Sequence, residues 1–140
     1  MAREFSLLVG TPIKLEALAA HAPEARSTPT DRPLEVQLHP MADLSLLVKP
    51  GREHAGDSFG GLLKLTVPRA ASYRVSSNRR LWVDIIGPEG MVRSSKFAMA
   101  PDCSKLAKSV AFNLEPDTDY WIQLADSPTR DAVLLITLDR

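Results

Sequence analysis

The three histidines of this chain are the side chains best suited to bind a transition metal. His21, His39 and His54 all lie in the first 54 of the 140 residues. Imidazole nitrogen is a common zinc or copper ligand, and carboxylate or thioether groups can complete such a site. His39 and His54 flank a predicted strand, so they would meet if the chain folds back there. Met41, Asp43 or Asp57 could then complete the site. The irregular spacing favours unrelated surface histidines, and a small metal-binding protein or enzyme that uses the region of His39 and His54 is the alternative hypothesis.

A nucleophilic site has less support in the sequence. Cys103 is the only cysteine, so the chain holds no internal disulfide and no cluster of thiolates. Lys105 lies nearby and would favour a thiolate, but no paired base accompanies it. Asp117 and Asp119 fall in a predicted turn, where carboxylates bond to the local backbone. Since no hydrolase, nucleotide-binding or metalloprotease motif is present, we predict no catalytic residue and no cofactor.

Two tryptophans provide the more informative candidate site. Strict alternation in a strand over residues 81–86 places Trp82 and Asp84 on one face. The same rule places Trp121 and Gln123 on one face of a strand over residues 119–125. In an immunoglobulin-like topology these strands are neighbours, so we expect both tryptophans side by side on an outer sheet surface, with Arg80 near its end. We call Trp82, Asp84, Trp121 and Gln123 the tryptophan face.

The tryptophan face has two interpretations. As a binding surface, it would receive a sugar ring, a peptide or a partner protein. As a structural surface, it would be covered by the N-terminal segment through Phe5, Leu7 or Leu15. Large exposed apolar patches are uncommon on monomeric proteins, and this favours the covered interpretation.

Composition excludes some partners. Lysine plus arginine equals aspartate plus glutamate, 17 against 17, so no overall charge recruits nucleic acid or an anionic membrane. Apolar residues make up 44% of the chain, yet no stretch is long and apolar enough to span a membrane. Residues 5–9 are apolar and residues 20–22 fit an A-x-A pattern, but Pro12, Lys14 and Glu16 interrupt the segment. We therefore expect no functional signal peptide.

The elements that would position these residues are mainly short strands. Residues 1–33 are predicted to form an arm, with a short helix over residues 13–21 and a proline-rich linker after it. Residues 34–140 are predicted to form one domain of alternating strands and turns. The predicted strands are 34–38, 44–48, 62–67, 72–76, 81–86, 91–98, 109–114, 119–125 and 132–138, with 91–98 at a sheet edge. This pattern predicts an all-β, antiparallel two-sheet β-sandwich of immunoglobulin-like or jelly-roll-like form.

A short motif resembles a known family. The motif occupies every second position from 114 to 124: Leu114, Pro116, Thr118, Tyr120, Ile122 and Leu124. This spacing resembles the tyrosine corner of fibronectin type III and related immunoglobulin-like sandwiches. The resemblance implies that the tyrosine hydroxyl bonds to the backbone just upstream. It implies a fold and no ligand.

A longer stretch resembles another group of sandwiches. Three strand segments, 72–75, 82–85 and 133–136, are similar to those of bacterial pre-peptidase C-terminal modules, although residues 115–117 replace the usual glycine. The resemblance implies a non-catalytic module in the periplasm or outside the cell, and it transfers no site residues. We thus expect an interaction module that binds a protein or a glycan. A homo-oligomer formed through the strand carrying Leu134, Ile136 and Leu138 is a further possibility.

Overall fold

Two β-sheets pack against each other in this protein. The structure is a computed structural model, and it describes residues 12–20, 22, 24–48, 57–99 and 108–138. Within these residues the strands are β1 (Ile13–Glu16), β2 (Leu34–Gln37), β3 (His39–Pro40), β4 (Phe59–Leu65), β5 (Ala71–Ser77), β6 (Trp82–Gly87), β7 (Gly90–Val92), β8 (Ser94–Met99), β9 (Lys108–Leu114), β10 (Tyr120–Ser127) and β11 (Asp131–Leu138). A single 3₁₀ turn, Met41–Asp43, is the helical structure found there.

The strand order defines a β-sandwich. The six-stranded sheet has the order β1-β2-β11-β5-β9-β8, and the five-stranded sheet has the order β3-β4-β10-β6-β7. Neighbouring strands are antiparallel except β1 and β2, which run parallel. The predicted all-β, antiparallel-rich two-sheet sandwich is confirmed. No helical segment among the described residues has the length and hydropathy needed to cross a membrane.

The core lies between the two inner sheet faces. Alternate residues of each strand point into it, as the period of two requires. The six-stranded sheet contributes Leu34, Val36, Val75, Phe112, Leu134 and Ile136, and the five-stranded sheet contributes Leu63, Leu65, Ile85, Tyr120, Ile122 and Leu124. These side chains are 6% exposed or less. The alternation seen in the sequence therefore corresponds to one continuous apolar layer.

The predicted N-terminal helix is wrong. Ile13–Glu16 is a strand that pairs in parallel with β2. Ile13 and Leu15 pack against the core, whereas Lys14 and Glu16 are exposed. The four residues thus follow a period of two, and the leucine spacing that suggested a helix is produced by a chain that leaves the strand and pairs Leu18 with Leu62. His21 lies outside the described residues.

Two further strand predictions differ from the structure. Residues 44–48 form no strand and instead cross the outer side of the five-stranded sheet. Residues 91–98 divide at Arg93 into β7 and β8, which belong to different sheets. Each of these two strands is the last of its sheet, so the predicted edge position is confirmed. The division arises because the chain crosses from one sheet to the other at this end of the sandwich.

The proposed oligomer strand is an interior strand. β11 lies between β2 and β5, and Leu134 and Ile136 are fully buried in the core. The backbone of Ile136 also accepts a hydrogen bond from the Asp31 amide, at 2.8 Å. Pairing of this strand with another chain is therefore wrong as a prediction. The outermost strands of the two sheets are β1, β8, β3 and β7.

The arm is bonded to both sheets. β1 extends the six-stranded sheet, Leu18 pairs with Leu62 of β4, and the Thr28 amide donates to the Lys64 carbonyl at 2.8 Å. Residues 24–33 contain no helix and no strand, as the linker prediction expected. A boundary between residues 33 and 34 stays a prediction, since it concerns whether the two parts fold independently.

Candidate functional site

The tryptophan face is formed as the sequence predicted, with one difference. β6 and β10 are antiparallel neighbours, and Gln123 lies directly opposite Asp84. Trp82 lies opposite Ala125 rather than opposite Trp121. Positions 121 and 125 are about 13 Å apart along a strand that rises about 3.3 Å per residue. The four side chains therefore share one face, but the tryptophans lie towards its two ends.

The tryptophan face is largely buried. Trp121 is 6% exposed, Asp84 is 7% exposed and Gln123 is fully buried. Trp82 is half-buried, and Arg80 is exposed at the end of the strand. The sequence predicted these five residues as a ligand site, and the structure closes most of them to solvent. Their role in ligand binding stays a prediction.

Residues 44–48, which we call the strap, are held on this face by Gln123. The amides of Leu47 and Val48 donate to its Oε1 at 2.9 and 3.3 Å, and its Nε2 donates to the Val48 carbonyl at 2.9 Å. The side-chain amide thus makes the hydrogen bonds to the strap backbone that a neighbouring strand would make in a sheet. The expected cover was the N-terminal segment, but Leu15 packs against the core instead. Phe5 and Leu7 lie outside the described residues.

The polar groups of the face are engaged with each other. The Trp82 indole N–H donates to Asp84 Oδ2 at 3.0 Å. A buried carboxylate needs such donors, because burial without a hydrogen bond is costly. The spacing of Trp82 and Asp84 in the sequence is therefore explained by a structural contact between them.

The histidine site is only partly within the described residues. His39 Nε2 lies 2.7 Å from the Ala17 carbonyl oxygen and 3.9 Å from Glu16 Oε1. Since a carbonyl only accepts, this nitrogen carries a proton and donates to it. Among the described residues, no group of three or more histidine, cysteine, aspartate or glutamate side chains is arranged to hold a metal. His54 and Cys103 lie outside those residues, so the paired histidine site stays a prediction.

The predicted co-ligands of that site differ in solvent exposure. Met41 is 6% exposed, whereas Asp43 and Asp57 are exposed. Asp117 has a positive φ of 56°, which fits the turn role expected for it.

A cleft that the sequence did not predict lies between the β6–β7 hairpin and the tyrosine corner. Its volume is about 490 Å³, and we call it the hairpin cleft. Its lining is Gly87, Pro88, Glu89, Gly90, Met91, Val92, Glu115, Thr118 and Tyr120. The sequence motif at residues 114–120 forms one wall, and the turn between β6 and β7 forms the other. Because β6 ends where its antiparallel neighbour β10 begins, the pairing of these strands brings the two turns together.

Local hydrogen bonds hold the wall of the hairpin cleft. The Glu115 amide donates to Tyr120 Oη at 2.9 Å, so the tyrosine hydroxyl does bond to the backbone just upstream. Thr118 Oγ1 donates to the Pro116 carbonyl at 3.0 Å. On the opposite wall, Gly87 approaches the Tyr120 ring so closely that a Cβ there would lie 3.1 Å from it. These contacts fix the distance between the hairpin and the corner.

The exposed chemistry of the hairpin cleft is acidic and apolar. Met91 is 54% exposed, the larger of the two exposures found for large hydrophobic side chains in the described residues. Glu89 and Glu115 are exposed, and none of the described residues that line the cleft carries a basic side chain. The arrangement can receive an apolar group beside a cation.

A second cleft lies where the arm crosses β4. It has a volume of about 280 Å³, and we call it the arm cleft. Its lining is Leu15, Glu16, Leu18, Ala25, Arg26, Ser27, Thr28, Pro29, Leu62, Leu63 and Lys64. Leu18 and Leu62 exchange two backbone hydrogen bonds at 2.9 and 2.8 Å. Further along β4, both the amide and the hydroxyl of Thr28 donate to the Lys64 carbonyl. The cleft opens between these two attachments.

No protein-family model matches this sequence, and no curated protein matches it.

Proposed function

We propose that this protein is a non-catalytic β-sandwich interaction module that binds a protein partner at the hairpin cleft. The observation that carries this proposal is the exposure of Met91 at a sheet edge, directly beside a cleft of about 490 Å³. Concave surfaces that combine apolar side chains with a few polar groups are the usual form of a binding site. A methionine is well suited to this role because its thioether adapts to differently shaped partners.

The position of Met91 in its strand supports a protein partner. β7 is the last strand of the five-stranded sheet, and Gly87 lies opposite Gly90 across a two-residue turn. In such a hairpin the closing pair is hydrogen-bonded, so the next residue directs its backbone groups away from the neighbouring strand. Met91 is that residue. An extended peptide can therefore bond to its backbone while contacting its side chain.

The charge of the hairpin cleft restricts the partner further. Glu89 and Glu115 supply two exposed carboxylates to a lining in which the part of the chain that the structure describes places no basic side chain. A segment that presents lysine or arginine next to an apolar residue would complement it. A glycan is less well supported, because sugar rings stack on exposed aromatic faces, and Tyr120 and Trp121 are each only 6% exposed.

We also propose that the module is of the fibronectin type III or immunoglobulin-like kind and acts outside the cytoplasm. The hydrogen bond between the Glu115 amide and Tyr120 Oη supports the first part, since it is the contact that the corner motif implies. The second part rests on the resemblance to exported bacterial modules. Fractionation of cells that express the native gene, followed by immunodetection, tests it. Recovery solely with the cytoplasmic fraction would contradict it.

Site-specific photo-crosslinking tests the binding surface. A photo-reactive amino acid replaces Met91, and in a matched variant it replaces Asn113, which is exposed on the other sheet. We expect a defined adduct only with position 91, and mass spectrometry of the adduct shows whether the captured molecule is a peptide or a glycan. A glycan adduct, or equal adducts from both positions, would contradict the proposal.

The identified partner then allows a quantitative test. With the purified partner, M91A is expected to weaken binding about tenfold, the cost of truncating an interface hot spot. N113A is the control and is expected to bind as the unaltered protein does. Thermal unfolding of M91A should be unchanged because the side chain is exposed. An unchanged Kd for M91A would remove Met91 from the interface.

A further inference from the structure

We propose that the arm cleft is a second, independent binding site, which takes a free aliphatic carboxylate such as a medium-chain fatty acid. The site is at the opposite edge of the five-stranded sheet from the hairpin cleft, since β4 and β7 lie on different sides of β10 and β6. The proposal therefore does not depend on the protein-binding function.

The interior of the arm cleft is apolar. Leu18 comes from the arm, and Leu62 and Leu63 come from β4, with exposures of 0% and 5% for the last two. Leu15, Ala25 and Pro29 are half-buried around them. The backbone groups of Leu62 are already bonded to Leu18. An alkyl chain placed here would thus gain apolar contacts without leaving a peptide group unpaired, and each buried methylene is favourable.

The charges at the rim select the head group. Lys64 Nζ lies 3.7 Å from Asp119 Oδ2, and its side chain is 14% exposed, so that cation is largely directed to its own carboxylate. Glu16 Oε1 lies 3.9 Å from His39 Nε2. Arg26 is exposed at the mouth of the cleft. A carboxylate suits it because a guanidinium can bind both carboxylate oxygens at once.

The volume limits the length and shape of the chain. At about 280 Å³ the arm cleft is just below the usual range of small-molecule sites, which begins at about 300 Å³. A slim, unbranched chain of medium length fits such a space better than a fused ring system. The exposed arginine at one end and the apolar interior at the other together match an amphipathic anion.

Calorimetric titration of the full chain tests this inference. Decanoate, kept below its micelle-forming concentration, is compared with decylamine, which has the same alkyl chain and the opposite charge. We expect decanoate to bind with one-to-one stoichiometry and decylamine to bind about tenfold more weakly or not at all. Absence of decanoate binding, or equal binding of both probes, would overturn the assignment.

Variants locate the bound chain. R26E is expected to weaken decanoate binding about tenfold, whereas R32E, which changes an exposed arginine of the same arm outside the cleft, should have no effect. A25W places a large side chain in the cleft and should abolish binding while circular dichroism and the unfolding temperature remain those of the unaltered protein. If A25W fails to fold, L18M and R26K are tested instead. L18M is expected to retain decanoate binding, and R26K is expected to reduce it only partly. Unchanged decanoate affinity in R26E would overturn the inference.

A membrane lipid is the competing source of the same chemistry. Sedimentation with phosphatidylglycerol vesicles distinguishes it from the free acid. We expect the protein to remain in the supernatant, because the cleft has room for one short chain. Sedimentation with vesicles that R26E abolishes, without binding of decanoate, would assign the arm cleft to lipid surfaces and overturn the proposal.

Discussion

A single side chain, Gln123, bonds the strap to the tryptophan face. It is fully buried, and its amide makes three hydrogen bonds to strap backbone. Glutamine suits this position because its amide offers both hydrogen-bond donors and an acceptor. An aliphatic residue could fill the same volume but would leave the backbone groups of Leu47 and Val48 unpaired.

Q123A should therefore release the strap. We expect the free energy of unfolding to fall by about 2–3 kcal/mol, because buried polar groups lose their partners and a cavity remains. Urea unfolding measures this loss. In a W82F background, Trp121 is the only tryptophan, since the chain has 2. Acrylamide quenching of its fluorescence should then increase in Q123A.

Q37A is the matched control, since Gln37 is exposed on β2. It should change neither stability nor quenching. If Q123A shows unchanged quenching, the strap is held by other contacts and the tryptophan face stays closed without the amide.

Much of the residue-level chemistry could be predicted from the sequence, but its use could not. Alternation correctly placed Trp82, Asp84, Trp121 and Gln123 on one face of neighbouring strands. It could not show that Asp84 would accept the Trp82 indole N–H or that Gln123 would bind the strap. Those partners lie far away in the chain or depend on side-chain rotamers, and local periodicity contains no information about either.

At the level of elements, the β6–β7 hairpin is the feature that shapes the hairpin cleft. Its turn uses Pro88 and Glu89, and Gly90 has a φ of +114°. Residues with a Cβ rarely adopt this conformation. Nothing lies within 4 Å of a Cβ placed on Gly90, so a substitution there would meet backbone strain without a steric clash.

G90A is expected to destabilise the protein by about 1–2 kcal/mol, the usual cost of such backbone strain. The measurement is thermal or urea unfolding, with E89A as the control because that side chain is exposed in the same turn. Since Met91 follows directly, binding of the protein partner should weaken as well. Equal stability of G90A and the unaltered protein would show that the turn relaxes to a negative φ.

Element types were predictable where hydrophobic alternation extended over a whole strand. β5, β9, β10 and β11 each have apolar residues at every second position facing the core, and their predicted bounds differ from the observed ones by at most two residues. Residues 13–16 and 44–48 are too short for their period to decide between alternatives. The first segment became a strand because β2 was available as a partner, and the second remained irregular because Gln123 bound its backbone. Both outcomes were decided by tertiary contacts.

At the scale of the whole molecule, the arm closes one open side of the sandwich. It adds β1 to the six-stranded sheet, then pairs Leu18 with β4 of the other sheet, and returns to place the Asp31 amide on the Ile136 carbonyl. Ala17 and Thr28 are 2% and 6% exposed. The chain thus links the two sheets along the edge of β4, an edge that would otherwise present unpaired backbone groups. The arm cleft is a consequence of this path, and strand order had to be known before it could be found.

A chain that begins at Leu34 tests whether residues 34–140 fold as an independent domain. The truncation removes β1, the backbone bonds of Leu18 to Leu62 and those of Thr28 to Lys64. Because a domain of this size has a total stability of only about 5–15 kcal/mol, we expect the truncated chain to be mostly unfolded or to self-associate through β4. Size-exclusion chromatography and thermal unfolding measure these outcomes.

A synthetic peptide of residues 12–33 separates loss of the arm from general damage to the chain. Added in trans, it should raise the unfolding temperature of the truncated chain, because its backbone can pair with β2 and β4 as in the intact protein. A peptide with L18P is the control, since proline has no amide hydrogen and cannot donate the hydrogen bond that Leu18 makes to the Leu62 carbonyl. If the truncated chain folds with an unchanged unfolding temperature and neither peptide has an effect, the sandwich is complete without the arm and the boundary at residues 33 and 34 is correct.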